Sequence, residues 1–113
     1  RRKLAAYYTK RLASSELVLP VTRESAEHVY HLYVVKTSMR QKLINHLTAN
    51  EIHAGIHYPV PVHLQPAYAV RVATATSMKV TEHLAHEVLS LPMYPELTVE
   101  MADQVIAAIE SFQ

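Results

Sequence analysis

Apolar side chains recur along this chain in two rhythms, and the alternation between them lays out the elements. Leu4, Tyr8 and Leu12 fall every fourth residue, the spacing that lines one face of a helix, and that stretch ends before Ser14 and Ser15. Residues 28–36, HVYHLYVVK, are β-branched and aromatic with apolar groups on both faces, which predicts a central strand covered on both sides. Ser38 with Gln41 three residues later has the form of a capping box. Met39, Leu43, Ile44 and Leu47 then draw an apolar stripe down to Asn50, so a second helix is expected there. In residues 52–57, Ile52, Ala54 and Ile56 share one face and His53, Gly55 and His57 the other, the period of a second short strand. Ser77 is placed to cap a third helix carrying Val80, Leu84 and Val88. Thr98 is placed to cap a fourth carrying Met101, Val105, Ile109 and Phe112, with Glu100 and Asp103 suiting its positive end. Between these helices, residues 89–98 read LSLPMYPELT, a third strand ended by Pro92, which has no N–H to give a ladder.

Helices interleaved with short strands, with no repeat and no linker-like stretch, describe one domain over residues 1–113. Its class is α+β: a small three-stranded, mostly antiparallel sheet packed with about four helices. Composition trims the functional choices. A formal charge of +1 without a lysine-rich stripe disfavours nucleic acid, and the apolar runs are too short and too interrupted to span a bilayer, so neither nucleic acid nor membrane is an expected partner. With no cysteine there is no disulfide and no thiolate metal site, which suits a cytoplasmic protein. The chain opens on Arg1 instead of methionine and is expected to be a piece of a longer product. One glycine, Gly55, stands against six prolines, so proline and asparagine are expected to shape the turns.

Candidate chemistry concentrates in residues 57–68, HYPVPVHLQPAY, where three prolines alternate with imidazole, phenol and amide groups. Proline fixes φ, so His57, Tyr58, His63, Gln65 and Tyr68 are presented with little ordering entropy left to lose when a ligand arrives. Each tip can donate or accept a hydrogen bond, as several sugar hydroxyls or a phosphate would require. The same residues also fit a loop routed over the core with its His and Tyr satisfied internally. A third reading is a metal site on His53, His57 and His63, although no carboxylate or Cys stands near in sequence to complete a familiar spacing. His83 and His86, three apart on a helix, read as a solvated face. Nucleophilic catalysis finds no Cys, no G-x-S-x-G elbow, and a single aspartate, Asp103, in a helix start, so no catalytic residue is assigned.

Four segments in order carry a resemblance: R-x-x-A-x-x-Y at Arg2, Ala5 and Tyr8, then YHLYVV, then GIHYPVPVHLQPAY, then EVLSLPMYPELT. Together they cover nearly the whole chain, and they resemble the C-terminal third of the DegT/DnrJ/EryC1/StrS sugar aminotransferases. The resemblance implies the small domain of a pyridoxal-phosphate enzyme of the aspartate-aminotransferase fold. Such an enzyme moves an amino group, commonly from glutamate, onto a nucleotide-diphosphate-linked keto sugar, in polysaccharide, lipopolysaccharide or antibiotic-sugar biosynthesis. It implies too a large domain bearing the Schiff-base lysine and a homodimer with active sites at its interface. Lys3, Lys10, Lys36, Lys42 and Lys79 lie outside any S-x-x-K context, so this segment alone is expected to be inactive and to hold no pyridoxal 5'-phosphate itself.

By the same similarity His57 and Tyr58 match the family's H-Y pair that reaches toward the sugar, and His63 with Gln65 match the H-x-Q that follows; their implied role is substrate binding. Glu51 stands where family members usually have glycine, so Asn50 is expected to take the left-handed conformation that ends the second helix. Lack of glycine in residues 70–79 implies a loop of altered shape between Tyr68 and Ser77. The bonds from Tyr58 and Tyr94 to the prolines after them are the places where a cis isomer is tolerable. Against the excised domain of a transferase stands a free-standing binding module of the same fold, which would need a polar surface where the large domain otherwise packs.

Overall fold

A computed structural model describes residues 1–71, 73, 74 and 76–112. Four α-helices, α1 (Arg2–Arg11), α2 (Arg40–Ala49), α3 (Lys79–Glu87) and α4 (Val99–Glu110), accompany two strands, β1 (Tyr33–Lys36) and β2 (Val88–Leu91). The strands pair antiparallel, with Tyr33 opposite Leu91 and Lys36 opposite Val88. Helices α1 and α2 both pack on α4.

The core follows the predicted periodicities. Tyr8, Leu12, Leu43, Leu47, Leu89 and Ile106 are almost completely buried, and Tyr8 and Tyr33 bring their rings to 5.2 Å. Buried phenols keep their hydroxyls bonded: Tyr8 donates to the Pro92 carbonyl at 3.1 Å, and Tyr33 Oη lies 2.9 Å from Thr9 Oγ1. Asp103, at the start of α4, accepts from Tyr7 at 2.6 Å and from Arg11 at 2.7 Å, so the chain's only aspartate fastens α1 to α4.

The sheet has two strands among the described residues, not three. Residues 52–57 contribute one antiparallel bridge, Gly55 to Ser90, with N···O distances of 3.0 and 2.7 Å. The ladder cannot lengthen toward His53, because its partner in that register is Pro92, which has no N–H, and the Ile52 amide is already given to the Leu47 carbonyl at the end of α2. On the other edge Val18 makes a second single bridge, to Lys36. The first predicted strand also shrinks, from 28–36 to 33–36, because the Arg1 guanidinium takes the carbonyls of Tyr30, His31 and Met93. Tyr30 sits at φ 51° with its amide donating to His28 Nδ1, a local turn in place of extended backbone.

Helix ends differ from expectation in four places. The capping box at Ser38 does not form: Gln41 donates to Asn45, and Thr37 Oγ1 accepts from the Met39 amide. Met78 occupies the N-cap of α3, with no side-chain bond from Ser77. Val88, expected on α3, is extended and opens β2, while Val80 is exposed. After α2 the left-handed residue is Glu51, φ 60°, and Asn50 stays at φ −97° with its amide side chain on the His46 carbonyl. The Thr98 cap of α4 is present, accepting from the Met101 amide, though Met101 itself lies outside the core and is exposed. The cis peptide bond among the described residues joins His57 to Tyr58, one residue before the first tyrosine–proline pair.

Candidate functional site

The polypeptide leaves the Gly55 bridge as a proline-ruled loop. Pro61 turns the chain into one 3-10 turn, Val62–Leu64, and the amides of Leu64, Gln65, Tyr68 and Arg71 all donate to carbonyls within the loop. With Pro59, Pro61 and Pro66 offering no N–H, the loop has few backbone groups to tie it elsewhere. Side chains make the ties instead. His57 Nδ1 lies 3.0 Å from Ser90 Oγ on β2, and His63 Nε2 lies 3.0 Å from Glu82 Oε1 on α3.

Between loop and helix runs a cleft of about 320 Å³. His57, Tyr58 and Gln65 reach it from the loop and Thr81 from α3, over an aliphatic wall of Val60, Val62, Leu84 and Val88. His57 and Tyr58 meet edge to face, ring centroids 5.5 Å apart, and Tyr58 is 73% exposed. Gln65 rests on a long contact, 3.4 Å, to the Val60 carbonyl. Three of the four predicted residues therefore converge. His63 does not line the cleft; its ring turns to Glu82 and clamps the loop to α3. Tyr68 is exposed and also off the lining.

Ser90 and Thr81 belong to this region and were not anticipated. Ser90 had a signal, being the polar residue inside the apolar run of β2; Thr81 had none. A wider hollow of about 460 Å³ lies among Ser14, Ser15, Thr37 and Phe112, but it offers no imidazole, and its Arg11 is committed to Asp103.

Among the described residues no three His, Asp or Glu groups gather as metal ligands. His53 lies apart, in a hollow with Pro92, Tyr94 and Leu97, and His83 pairs with Glu87 at 3.1 Å one helical turn on. No helix among the described residues is long and apolar enough to cross a membrane.

The family model of the DegT/DnrJ/EryC1/StrS aminotransferases matches residues 1–110. This chain belongs to that family. Aminotransferases of the DegT/DnrJ/EryC1/StrS family depend on pyridoxal phosphate. Among curated relatives, the erythromycin biosynthesis sensory transduction protein EryC1 of Saccharopolyspora erythraea is 43% identical over 112 residues, 98% of this chain and 31% of its own length. The dTDP-3-amino-3,4,6-trideoxy-alpha-D-glucose transaminase of Streptomyces venezuelae is 42% identical over 113 residues, 99% of this chain and 30% of its own. The crystal structure of S. venezuelae DesV in complex with a ketimine intermediate superposes with a TM-score of 0.89 at 43% identity, over 96% of this chain and 29% of that one. The chain thus spans about 30% of the length of the curated relatives it matches.

The cleft does not fit the cofactor's anchoring chemistry. No lysine lines it, and Asp103, the only aspartate, does not line it either and is held by Tyr7 and Arg11.

Proposed function

We propose that this chain is the C-terminal small domain of a pyridoxal-phosphate aminotransferase that aminates a nucleotide-linked keto sugar, and that its part is to bind and orient the sugar. The observation that carries the reading is the convergence of His57, Tyr58 and Gln65 on one cleft. An imidazole, a phenol and a carboxamide over an aliphatic wall supply directional hydrogen bonds for ring hydroxyls and contact for the carbon face of a sugar. Holding the keto carbon at the reacting centre contributes by proximity, without proton transfer from this domain. His63 assists indirectly, by fixing the loop against Glu82. The cofactor and the lysine that bears it belong, on this reading, to a large domain outside the chain. The amino donor is glutamate or a similar amino acid, the enzyme works as a homodimer, and its setting is the cytoplasm.

The test uses the full-length protein, a set of dTDP- and UDP-linked keto sugars, and glutamate. The expected product carries a primary amine where the sugar had its ketone, with the donor converted to its keto acid. His57→Ala and Gln65→Ala should each raise the KM for the sugar about tenfold, the loss of one or two hydrogen bonds to a desolvated ligand. The half-reaction with glutamate should be unchanged, because these residues touch only the sugar. If both half-reactions fell together, the cleft would be structural; if no keto sugar were aminated, the reading would be wrong.

A further inference from the structure

Two residues outside the cleft's lining meet at one side chain that belongs to it, His57. Ser90 is the polar residue of β2 and is 4% exposed, on the face opposite Leu89 and Leu91. A hydroxyl buried that deeply needs a partner, and its partner is His57 Nδ1 at 3.0 Å. Gly55, the chain's only glycine, exchanges both backbone hydrogen bonds with the same Ser90. Its φ is not positive, so backbone conformation does not demand glycine there. The His57 ring does: a Cβ at position 55 would stand 2.6 Å from Cε1 and 3.3 Å from Nδ1.

We propose that Ser90 and Gly55 are positioning residues for His57, the serine hydroxyl anchoring Nδ1 and the bare glycine leaving room for the ring, so that the imidazole is held at the cleft for the sugar. This rests on the substrate-binding reading of the cleft. Fixing one imidazole nitrogen fixes the direction of the ring, and the serine hydroxyl, which can donate or accept, serves either tautomer. The two devices act in the same sense, one holding the ring to β2 and the other leaving the space it occupies.

The experiment is a set of variants in the full-length protein, read by steady-state kinetics and by crystal structures. Ser90→Ala and Gly55→Ala should each raise the KM for the nucleotide sugar about 3- to 10-fold, the cost of one neutral hydrogen bond, with the glutamate half-reaction untouched. Ser90→Thr keeps the hydroxyl and should restore the KM. In a His57→Ala background neither change should raise it further, since the residue they position is gone. Effects that add to His57→Ala would overturn the proposal, because a merely structural role would persist without the imidazole. The structures give an independent arm: the His57 ring should leave its place in both variants, and a ring that stays put overturns the positioning role whatever the kinetics show. Should His57→Ala leave the sugar KM unchanged, the binding reading fails instead, and ring displacement alone decides whether Ser90 and Gly55 hold it.

Discussion

On one face of β2, Leu89 and Leu91 enter a cluster that also takes Tyr8, Leu47 and Ile106; on the other, Ser90 meets a loop in which no residue from 58 to 71 is buried. The first region is built from α1, α2, α4 and both strands, whereas α3 places just Ala85 out of reach of solvent and outside that cluster. Close-packed apolar surface supplies cooperative stability, while a loop stiffened by proline supplies a shaped surface at small cost in ordering. The loop is tied to the first region through Ser90 on β2 and to α3 through Glu82. Substitutions should therefore separate into those that unfold the chain and those that spare its stability yet disturb recognition.

The largest effect is expected at the centre of the core. Tyr8→Ala empties a fully buried ring site beside Tyr33 and strands the Pro92 carbonyl, and should cost about 3–5 kcal/mol in urea unfolding. Burial first, and the nearby Tyr94 and Tyr33 phenols second, hold the Tyr8 hydroxyl well above its ordinary value of 10.0. A folded value above the unfolded one means that this contribution is intact below pH 10 and is lost as pH rises beyond it. Tyr8→Phe should accordingly flatten the alkaline decline in stability. An unchanged decline would place the alkaline-sensitive group elsewhere and weaken the picture of one dense core.

The same division shows which parts were legible in the residues. The first, second and fourth helices written as apolar stripes, the Thr98 cap and the Pro92 strand end depend on neighbours within a turn or two and are found; the third helix forms too, but with Val80 exposed and Val88 in β2. The shortened first strand was not legible, because Arg1 takes carbonyls some thirty residues away. Nor was the missing third strand: the Ile52 amide is consumed by α2, and Pro92 faces His53 across the ladder. In the cleft, alternation with proline marked His57, Tyr58 and Gln65, but spacing cannot say which way an imidazole turns. His63 looked equivalent to His57 and instead faces Glu82, nineteen positions on.

Smaller effects test the edges of the core. Thr98→Ala should cost about 1 kcal/mol by releasing the Met101 amide. Bonds to its own amide and to the Thr98 hydroxyl hold the Glu100 carboxyl below its ordinary 4.5. A depressed folded value gives stability that is present above that pH and is lost as pH falls through the lower one, so the variant should also soften the acid decline. In the opposite direction, Glu51→Gly relieves a left-handed φ of 60° just after α2 and should stabilise by about 0.5–1 kcal/mol. A loss of stability there would mean that the Glu51 side chain makes contacts worth more than the backbone strain.

The smallest expected effect on stability is the one that tests the comparison from the loop side. The Gln65 side chain has one long hydrogen bond, to the Val60 carbonyl, and the residue is only partly buried, so Gln65→Ala should change the unfolding free energy by less than about 0.5 kcal/mol. Gln65 nevertheless lines the cleft beside His57 and Tyr58, and under the proposed function the same variant should weaken sugar binding in the full-length protein. The pairing of a silent unfolding curve with a raised KM is what distinguishes a surface organised for recognition from one organised for packing. If Gln65→Ala instead shifted the urea midpoint by as much as Thr98→Ala, the loop would be part of the cooperative unit, and its prolines would be serving the fold before the ligand.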